Sequence, residues 1–535
     1  LYSLDQPELN LTYGAKNKWE INASTNDRAS AGYFGRINYD YKGIYLLELN
    51  GRYDGSSRFP AGDKWAFFPS GSIGYRFSQE AYWDKLRETV SNGKLRFSYG
   101  EIGNENVGSS WPYIATIGTI SASYVGWLNG SNTKVNEFDL PEWVSSSLTW
   151  ERIKTIDIGL DLGLLNDMVT VGFDWYQRTT NDMIAPGKAL PPSVGASTPT
   201  TNSGSLRTRG WELTINWRKQ FTNDLGLYAN FSIGDSKSVV TKWDNDQNIG
   251  HPLSTAYAYA GQVWGDIWGF ETDRYFTEAD FTGKNADGSW IYAPGVADQT
   301  GIQTQTFVYG PGDIKFKDLD GSGVIDGGKG TVDDHGDLKV IGNCLPRYEY
   351  SFHIGGTYKG FDLDLFFLGV GKRDMWTQSS FVFPEMREAD LAIYANQTSY
   401  NIYEPEKGIV NISESNAFPC LYPGNEYAGN VTGLAGEGGC HNYYPQTKYL
   451  VDMSYLRLKN VTLGYTLPVE LTKKAFVQKL RFYVSCNNLF LLHKGSGDLP
   501  IDPEMNAGQG ALGYGTWGRT YPTTKSWSFG LQVTF

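Results

Sequence analysis

Cysteine is scarce in this chain: four residues among 535, beside six methionines and five histidines. That sparsity excludes a fold built on a disulfide framework. Long hydrophobic runs are missing too. No apolar stretch reaches about 18 residues, so no membrane-spanning helix is encoded. Mean hydropathy is −0.39. Positive charge is in short supply: 46 Lys and Arg stand against 58 Asp and Glu, a net charge of −12. That balance argues against a nucleic-acid partner. Catalytic motifs are also lacking. There is no Gly-x-Ser-x-Gly, no His-Glu-x-x-His and no phosphate loop ending in Gly-Lys-Ser/Thr. His251, His335, His353, His441 and His493 are scattered. Gly508-x-Gly510-x-x-Gly513 matches a dinucleotide fingerprint in letters only, with no βαβ unit around it. No nucleophile-and-base constellation is visible, so the sequence points away from an enzyme. A leader is absent as well. Leu1-Tyr2-Ser3-Leu4-Asp5 has neither a basic n-region nor an apolar h-region. The expectation is the later part of a longer polypeptide rather than a chain whose leader was removed.

What the chain has is aromatics, glycine and alternation. It carries 63 Gly, 35 Tyr, 27 Phe and 17 Trp. The last nine residues read Trp527-Ser528-Phe529-Gly530-Leu531-Gln532-Val533-Thr534-Phe535. Large apolar side chains hold every odd position, small or polar ones every even position. On a strand this gives one greasy face and one wet face. Such a strand suits a wall with lipid outside and water inside, or a half-buried strand of a soluble sandwich. The pattern recurs. Ile156, Ile158, Leu160 and Leu162 interleave with Asp157, Gly159 and Asp161. Val169, Val171, Phe173 and Trp175 do the same, as do Trp211, Leu213, Ile215 and Trp217. Asp362 and Asp364 share one strand face between Phe361, Leu363 and Leu365, and suit a wet lumen better than acid–base work. In Leu456, Leu458, Val461, Leu463 and Tyr465 the phase slips near Asn460, as at a β-bulge.

The connections separate the two alternatives. Periodicity predicts thirteen strands, at about 30–39, 43–54, 66–78, 93–101, 149–163, 167–180, 206–218, 225–238, 347–358, 360–371, 453–466, 479–492 and 526–535. Short links fall near Tyr41-Lys42, Leu165-Asn166, Phe221-Thr222 and Lys359, and medium ones at Gln79–Asn92 and Leu467–Gln478. The alternate gaps are generally longer, up to about eighty residues between Gly371 and Asp452. A sandwich has no reason to sort its loops this way. An outer-membrane barrel does, with short periplasmic turns and long extracellular loops. The fold class is therefore all-β, a transmembrane antiparallel β-barrel. An odd strand number in a class that uses even numbers predicts further strands before Leu1.

Several segments then match a family pattern in order. They are Tyr33-Phe34-Gly35-Arg36-Ile37-Asn38-Tyr39; Arg52-Tyr53-Asp54-Gly55-Ser56-Ser57-Arg58-Phe59 with Phe67-Phe68-Pro69-Ser70; and Lys94-Leu95-Arg96-Phe97-Ser98-Tyr99-Gly100 with Gly103-Asn104. Leu148-Thr149-Trp150-Glu151, Asp318 to Asp326, Tyr455-Leu456-Arg457-Leu458-Lys459-Asn460-Val461, Asn487-Asn488-Leu489-Phe490 and Asp502-Pro503-Glu504 follow. Together they resemble the SusC/RagA family of TonB-dependent outer-membrane transporters of the Bacteroidetes, over nearly the whole chain. The resemblance implies a plugged barrel of about twenty-two strands, of which residues 1–535 are the carboxy-terminal part. It also implies active import of glycan oligosaccharides or peptides, energised by the TonB complex acting through a plug. The plug and the TonB-contacting segment precede the barrel in that family, and neither is in these residues. A SusD-like surface lipoprotein lid would be the partner, and Phe535 would be the signal read by the barrel-assembly machinery. A siderophore or cobalamin transporter is disfavoured by the ordered motifs. A surface-binding barrel without import is the alternative from another class.

Local chemistry is concentrated in one loop. Asp318-x-Asp320-x-Ser322-Gly323-Val324-Ile325-Asp326 matches the first nine positions of an EF-hand-type loop. The expected ligands are Asp318, Asp320, Ser322, the Val324 carbonyl and Asp326, holding a structural Ca²⁺. Position 12 is Lys329, so Asp333 or Asp334 would have to supply the last carboxylate. The alternative is an Asp/Gly-rich turn held by Asx hydrogen bonds. A disulfide between Cys420 and Cys440 is chemically allowed in the longest loop; Cys344 and Cys486 read as free. Trp111, Trp127, Trp264, Trp268, Trp376, Tyr443 and Tyr444 are loop aromatics suited to stacking on sugar rings, with interface or packing roles as the alternative.

Overall fold

A computed structural model describes residues 27–107, 111–120, 137–141, 143–145, 148–188, 190–194, 198–244, 248–250, 257–286, 288–303, 307–376, 383, 395–421, 441–504 and 523–535. Thirteen strands form one sheet: β1 (Ser30–Tyr41), β2 (Tyr45–Ser56), β3 (Trp65–Tyr75), β4 (Val90–Asn104), β5 (Glu151–Leu164), β6 (Val169–Pro186), β7 (Thr200–Gln220), β8 (Leu225–Lys242), β9 (Arg347–Tyr358), β10 (Phe361–Lys372), β11 (Tyr455–Thr466), β12 (Lys479–Lys494) and β13 (Ser526–Thr534). Each strand pairs antiparallel with the next in the chain. All thirteen sequence-predicted strands are present. β6 and β7 run further than their alternation predicted, pairing out to Pro186↔Thr200. The register shifts between Thr180 and Met183, where Asp182 takes φ 54°, and that break ends the visible period. The slip near Asn460 is a bulge: Phe366 pairs with Asn460 but Phe367 with Leu458.

Short turns and long connections fall on opposite ends of the sheet, as the spacing predicted. The tightest turn is Lys359-Gly360, with φ 47° and 87° and Tyr358 directly opposite Phe361. Two successive positive φ values fit a primed hairpin turn, which is why glycine stands there. At the other end the longer connections leave the sheet, after Asn104, Pro186, Lys242, Lys372 and Lys494.

One face of the sheet is apolar and exposed. Tyr33 is 71%, Phe529 83% and Trp527 59% accessible. In water such a patch would drive association; in a bilayer it is the lipid-facing surface, with the antiparallel ladder supplying the backbone hydrogen bonds that hydrocarbon cannot. The packed apolar core lies elsewhere, in the long connections. Short pairings tie Asp266–Phe270 to Leu338–Asn343, Thr272–Tyr275 to Ile314–Phe316, and Asp374–Met375 to Val451–Asp452. Around them Phe270, Phe276, Phe307, Tyr309, Phe316 and Met453 are fully or almost fully buried. No helix among the described residues is long and apolar enough to cross a membrane.

Candidate functional site

The sheet's other face is a hydrogen-bonding wall. Arg96 on β4 meets Asp161 at 2.8 Å, Asp174 at 2.9 Å and Asp157 at 4.0 Å, from β5 and β6. The three carboxylates alternate with Ile158, Leu160 and Phe173, so strand period alone puts them all inward. Further along, His353 Nε2 lies 2.7 Å from Asp364, which also accepts from the Tyr228 hydroxyl. Arg481 Nε donates to Asp362 at 2.9 Å. Asp362 and Asp364 therefore share the wet face, each with a cationic or hydroxyl partner. Asn460, Thr462, Ser485 and Asn487 continue it as a polar ladder. Such a surface suits passage of polar solutes, which exchange hydrogen bonds with it and gain no fixed chemistry from it.

Motifs distant in sequence meet at the rim. Phe59, Ala66, Phe68 and Trp150 form one small core, and Trp150 Nε1 donates to the Lys64 carbonyl at 3.0 Å. Glu151 accepts from Asn104 Nδ2 at 2.5 Å and from the Ile184 amide at 2.8 Å. Arg457 pairs with Asp502 and, at 3.0 Å, with Glu504, while Lys459 Nζ reaches Glu504 at 2.5 Å. The Arg457-x-Lys459 and Asp502-x-Glu504 motifs are thus two halves of one ion network clasping the connection after β12 to β11.

The loop aromatics divide by burial. Trp111 is 40% exposed. Trp264 packs beside Val240, Trp243 and Ala258, and Trp268 Nε1 donates to the Tyr259 hydroxyl at 3.1 Å. Trp376, Tyr443 and Tyr444 are only 3%, 4% and 4% accessible. Phe383 lies between Tyr443, at 4.6 Å, and Trp376, at 5.4 Å, its ring tilted against both, and Phe270 meets Tyr444 at 5.7 Å. The sequence expectation of stacking platforms is corrected for these three: they are core of the loop domain, with no ring face left for a sugar. Trp127 and Cys440 lie outside the described residues, so the 420–440 pairing does too. Cys420 is buried with Sγ 3.6 Å from the Pro311 carbonyl. Cys344 and Cys486 are free thiols, and burial pushes Cys344 up to about 12. Phe535 follows β13 and is 80% exposed.

The acidic loop folds as a tight turn around its first aspartate. Asp318 accepts from the Gly321 and Gly323 amides at 2.7 and 2.8 Å, and Asp320 from the Ser322 amide at 2.8 Å. Ser322 Oγ donates to the Val324 carbonyl at 2.9 Å. The third carboxylate near them is Asp337: ligand oxygens of Asp318, Asp320 and Asp337 lie within 4.8 Å of one another. Asp326 instead caps the Gly328 amide at 2.7 Å, and Asp334 pairs with Lys329 at 2.8 Å. The third carboxylate beside Asp318 and Asp320 is thus Asp337 rather than Asp326, Asp333 or Asp334. Residues 327–336 form a small excursion closed by the Asp337 amide on the Asp326 carbonyl at 2.9 Å. An EF-hand spacing cannot see across that insertion. Asp337 is fully buried, and burial, then its Asp320 and Asp318 neighbours, raise its carboxyl above the ordinary range; amide donors from Leu319 and Asp326 oppose this. Hydrogen bonds from Ser322 lower Asp320. Hard oxygens from three carboxylates, with a hydroxyl and a carbonyl beside them, fit a Ca²⁺-type cation.

Comparison with known proteins agrees with this architecture. Residues 2–333 match the family model described as TonB dependent receptor-like, beta-barrel. The chain is 28% identical over 529 residues to TonB-dependent receptor P3 of Formosa agariphila, covering 95% of this chain and 46% of that relative. It is 26% identical to TonB-dependent receptor SusC of Bacteroides thetaiotaomicron, covering 94% of this chain and 43% of that one. Among solved structures, the RagAB peptide transporter aligns with TM-score 0.66 at 21% identity, over 99% of this chain and 50% of that chain. The chain thus spans about half the length of the relatives it matches.

Proposed function

Since this chain belongs to the TonB-dependent receptor-like β-barrel family, and is wall of an integral outer-membrane barrel, we propose that it serves active import of oligosaccharides or peptides. One observation carries this reading: a continuous thirteen-strand wall whose inward face is lined by Arg96, Asp161, Asp174, Asp364 and Arg481, with a folded domain at the long-loop end. A wall of that kind suits bulky polar cargo, and a domain over the mouth suits selection of it. Import would be energised by TonB acting on a plug, with a SusD-like lipoprotein as lid. A peptide cargo draws support from the likeness to the RagAB peptide transporter, and the glycan alternative rests on the resemblance of the ordered motifs to the SusC/RagA family. Asp318, Asp320 and Asp337, with Ser322 and the Val324 carbonyl, would hold Ca²⁺ as a staple of the loop domain. The test is uptake of labelled oligosaccharide and peptide libraries by cells carrying the full-length protein, with and without TonB. Uptake that depends on both proteins is expected. Surface binding without TonB-dependent uptake would favour an adhesion barrel instead.

A further inference from the structure

The lipid-facing side of the wall carries a second feature, a band of cations in an otherwise acidic chain. Strand register places it. On the apolar face, Ile158, Trp175, Trp211 and Asp235 lie in one row across β5 to β8. The next row toward the long-loop end is Ile156, Gln177, Arg209 and Lys237. The row after that is Lys154, Thr179, Arg207 and Val239, and Arg152 stands beyond it opposite Asn181. So Arg152, Lys154, Arg207, Arg209 and Lys237 cluster immediately above a Trp175–Trp211 pair. Trp at that position marks the edge of the hydrocarbon.

The height fits the outer boundary of the bilayer. Below the Trp row the same face stays apolar through Leu213, Ile215 and Trp217, then ends at exposed Lys219. From Lys219 to Arg209 is ten residues of β7. At about 3.3 Å per residue and a tilt near 40°, that spans roughly 25 Å, the height of a barrel's apolar band. Arg209 and its neighbours therefore sit at the headgroup layer.

The charges there are not balanced by the protein. Glu101 meets Arg152 at 3.3 Å and Lys154 at 3.5 Å, one carboxylate for two cations. Asp235 is taken by Arg347. Asp266, on the connection after β8, feels the charge of Lys237 but lies beyond 4.0 Å from it. Among the described residues no carboxylate lies within 4.0 Å of Arg207, Arg209 or Lys237. Arg209 and Lys237 are exposed and stand directly opposite each other. Like charges paired across strands are destabilising unless an anion lies between them. Arg209 is also held in place, its Nε donating to Gln177 at 2.7 Å, which leaves the rest of the guanidinium to point elsewhere.

We propose that Arg207, Arg209 and Lys237, with Lys154 and Arg152 beside them, bind the phosphate of an outer-leaflet glycolipid headgroup whose acyl chains lie along the Trp175–Trp211 face. Arginine pairs with phosphate bidentately, and a site in the headgroup layer is continuous with the lipid-facing wall. This inference rests on outer-membrane location alone and not on the cargo or lid assigned above.

The experiment uses the full-length protein in lipid nanodiscs of phosphatidylcholine, titrated with a phosphorylated hexa-acyl glycolipid and with its dephosphorylated form. The triple variant R207Q/R209Q/K237Q should bind the phosphorylated lipid roughly a hundredfold more weakly, three basic side chains having gone. Lys219→Gln, an equal charge change per residue at the other membrane face, should bind normally. Millimolar inorganic phosphate should not displace the lipid. Folding of each variant is checked by heat-modifiable mobility; if the triple variant fails to fold, Arg209→Gln alone should weaken binding roughly fivefold. Wild-type binding by the folded variant overturns the proposal. So does equal binding of the dephosphorylated lipid, and so does full displacement by inorganic phosphate, which would make the band a free-anion site. TonB-dependent uptake measured on the same variants separates failure here from failure of the import reading.

Discussion

The Tyr483 ring on β12 lies flat across Gly530 on β13, its directly opposite neighbour. A Cβ at position 530 would lie only 2.1 Å from Cζ of that ring. The glycine is therefore a slot for the tyrosine, and the pair fixes the register of the last strand on the wet face. Gly530→Val must push the ring aside, at about 1–3 kcal/mol for overpacking. The expected outcome is a several-fold fall in heat-modifiable barrel recovered from the outer membrane. Tyr483→Ala, which only empties the slot, should cost less. If both variants assembled at wild-type yield, the joint would have no part in strand registration.

Phe535→Ala is expected to reduce assembly without altering transport by the molecules that do fold. Phe535 is 80% exposed and makes no core, so the lost group is a recognition element rather than packing. Folded yield per translated chain is the measurement, and an unchanged yield rules out Phe535 as the assembly signal.

How much of this was legible in the sequence follows from which contacts are local. Strand period and loop parity depend on neighbours in the chain, and thirteen strands with their turn side were readable from residues such as Ile156–Leu162 and Trp211–Trp217. The bulge at Asn460 showed as a phase slip. Contacts between elements were not readable. Trp376, Tyr443 and Tyr444 resemble any loop aromatics in composition; their burial comes from two long connections packing together, with Asn442 bonding Asp313 at 2.7 Å and the Ile314 amide at 2.8 Å. Asp337 was hidden by the 327–336 excursion, in which Gly328, Gly330 and Gly336 take φ 55°, 66° and 51°. Those glycines were the available signal for a local reversal that brings Asp337 back to Asp318.

Asp337→Asn should loosen the acidic loop as much as Asp320→Ala, and Asp326→Asn should loosen it less. Asp337 is the buried member of the triad, and Asp326 only caps a turn. Protease nicking between about Tyr309 and Ile341 is the readout. Wild type should gain protection from Ca²⁺ and lose it to chelator, while the wall stays intact. Because ligand carboxylates must be ionised, Ca²⁺ affinity should fall as pH drops into the carboxyl range, earliest through Asp337 with its raised value. Identical nicking with and without chelator would remove the metal from the account.

Acid should open the loop domain through Asp280. Burial alone would raise this carboxyl, but Arg274 at 2.6 Å and the Thr277 amide at 2.8 Å outweigh it and hold it well below the usual range. A depressed carboxyl contributes stability that is present above its unfolded value and lost as pH falls through the folded one. The loss should therefore begin near pH 4, about the unfolded value, and deepen below it. Tryptophan fluorescence of the loop domain in wild type should follow that course. Asp280→Asn should be looser at neutral pH and lack that component of the acid transition. Superimposable acid profiles would mean that the Arg274 pair is not what acid breaks.

The seat of the proposed lid can be tested at one hairpin. Ile402–Glu404 pairs with Ile409–Asn411, and Ile409 and Val410, the first residues of the return strand after the turn at the tip, are 47% and 50% exposed. The hairpin's root is rigid: the Asn401 amide donates to the Phe418 carbonyl at 3.0 Å and its side chain to the Gly312 carbonyl at 3.0 Å. A fixed root with an apolar tip is suited to a partner, since adjacent exposed aliphatics gain nothing from water. Deleting the whole region from Asn396 to Gly439 would be a poor test, because it removes Phe418 and Asn401 from the core beneath. Ile409→Asp with Val410→Asp leaves that core whole. If the tip is an anchor, the double variant should lower co-purification of the lid lipoprotein roughly tenfold or more, the loss of one or two buried hot-spot side chains, with the loop domain still resistant to protease. Lid recovery at the wild-type level would place the contact elsewhere on the rim, and the other long connections, 105–150 and 187–199, would be next to vary.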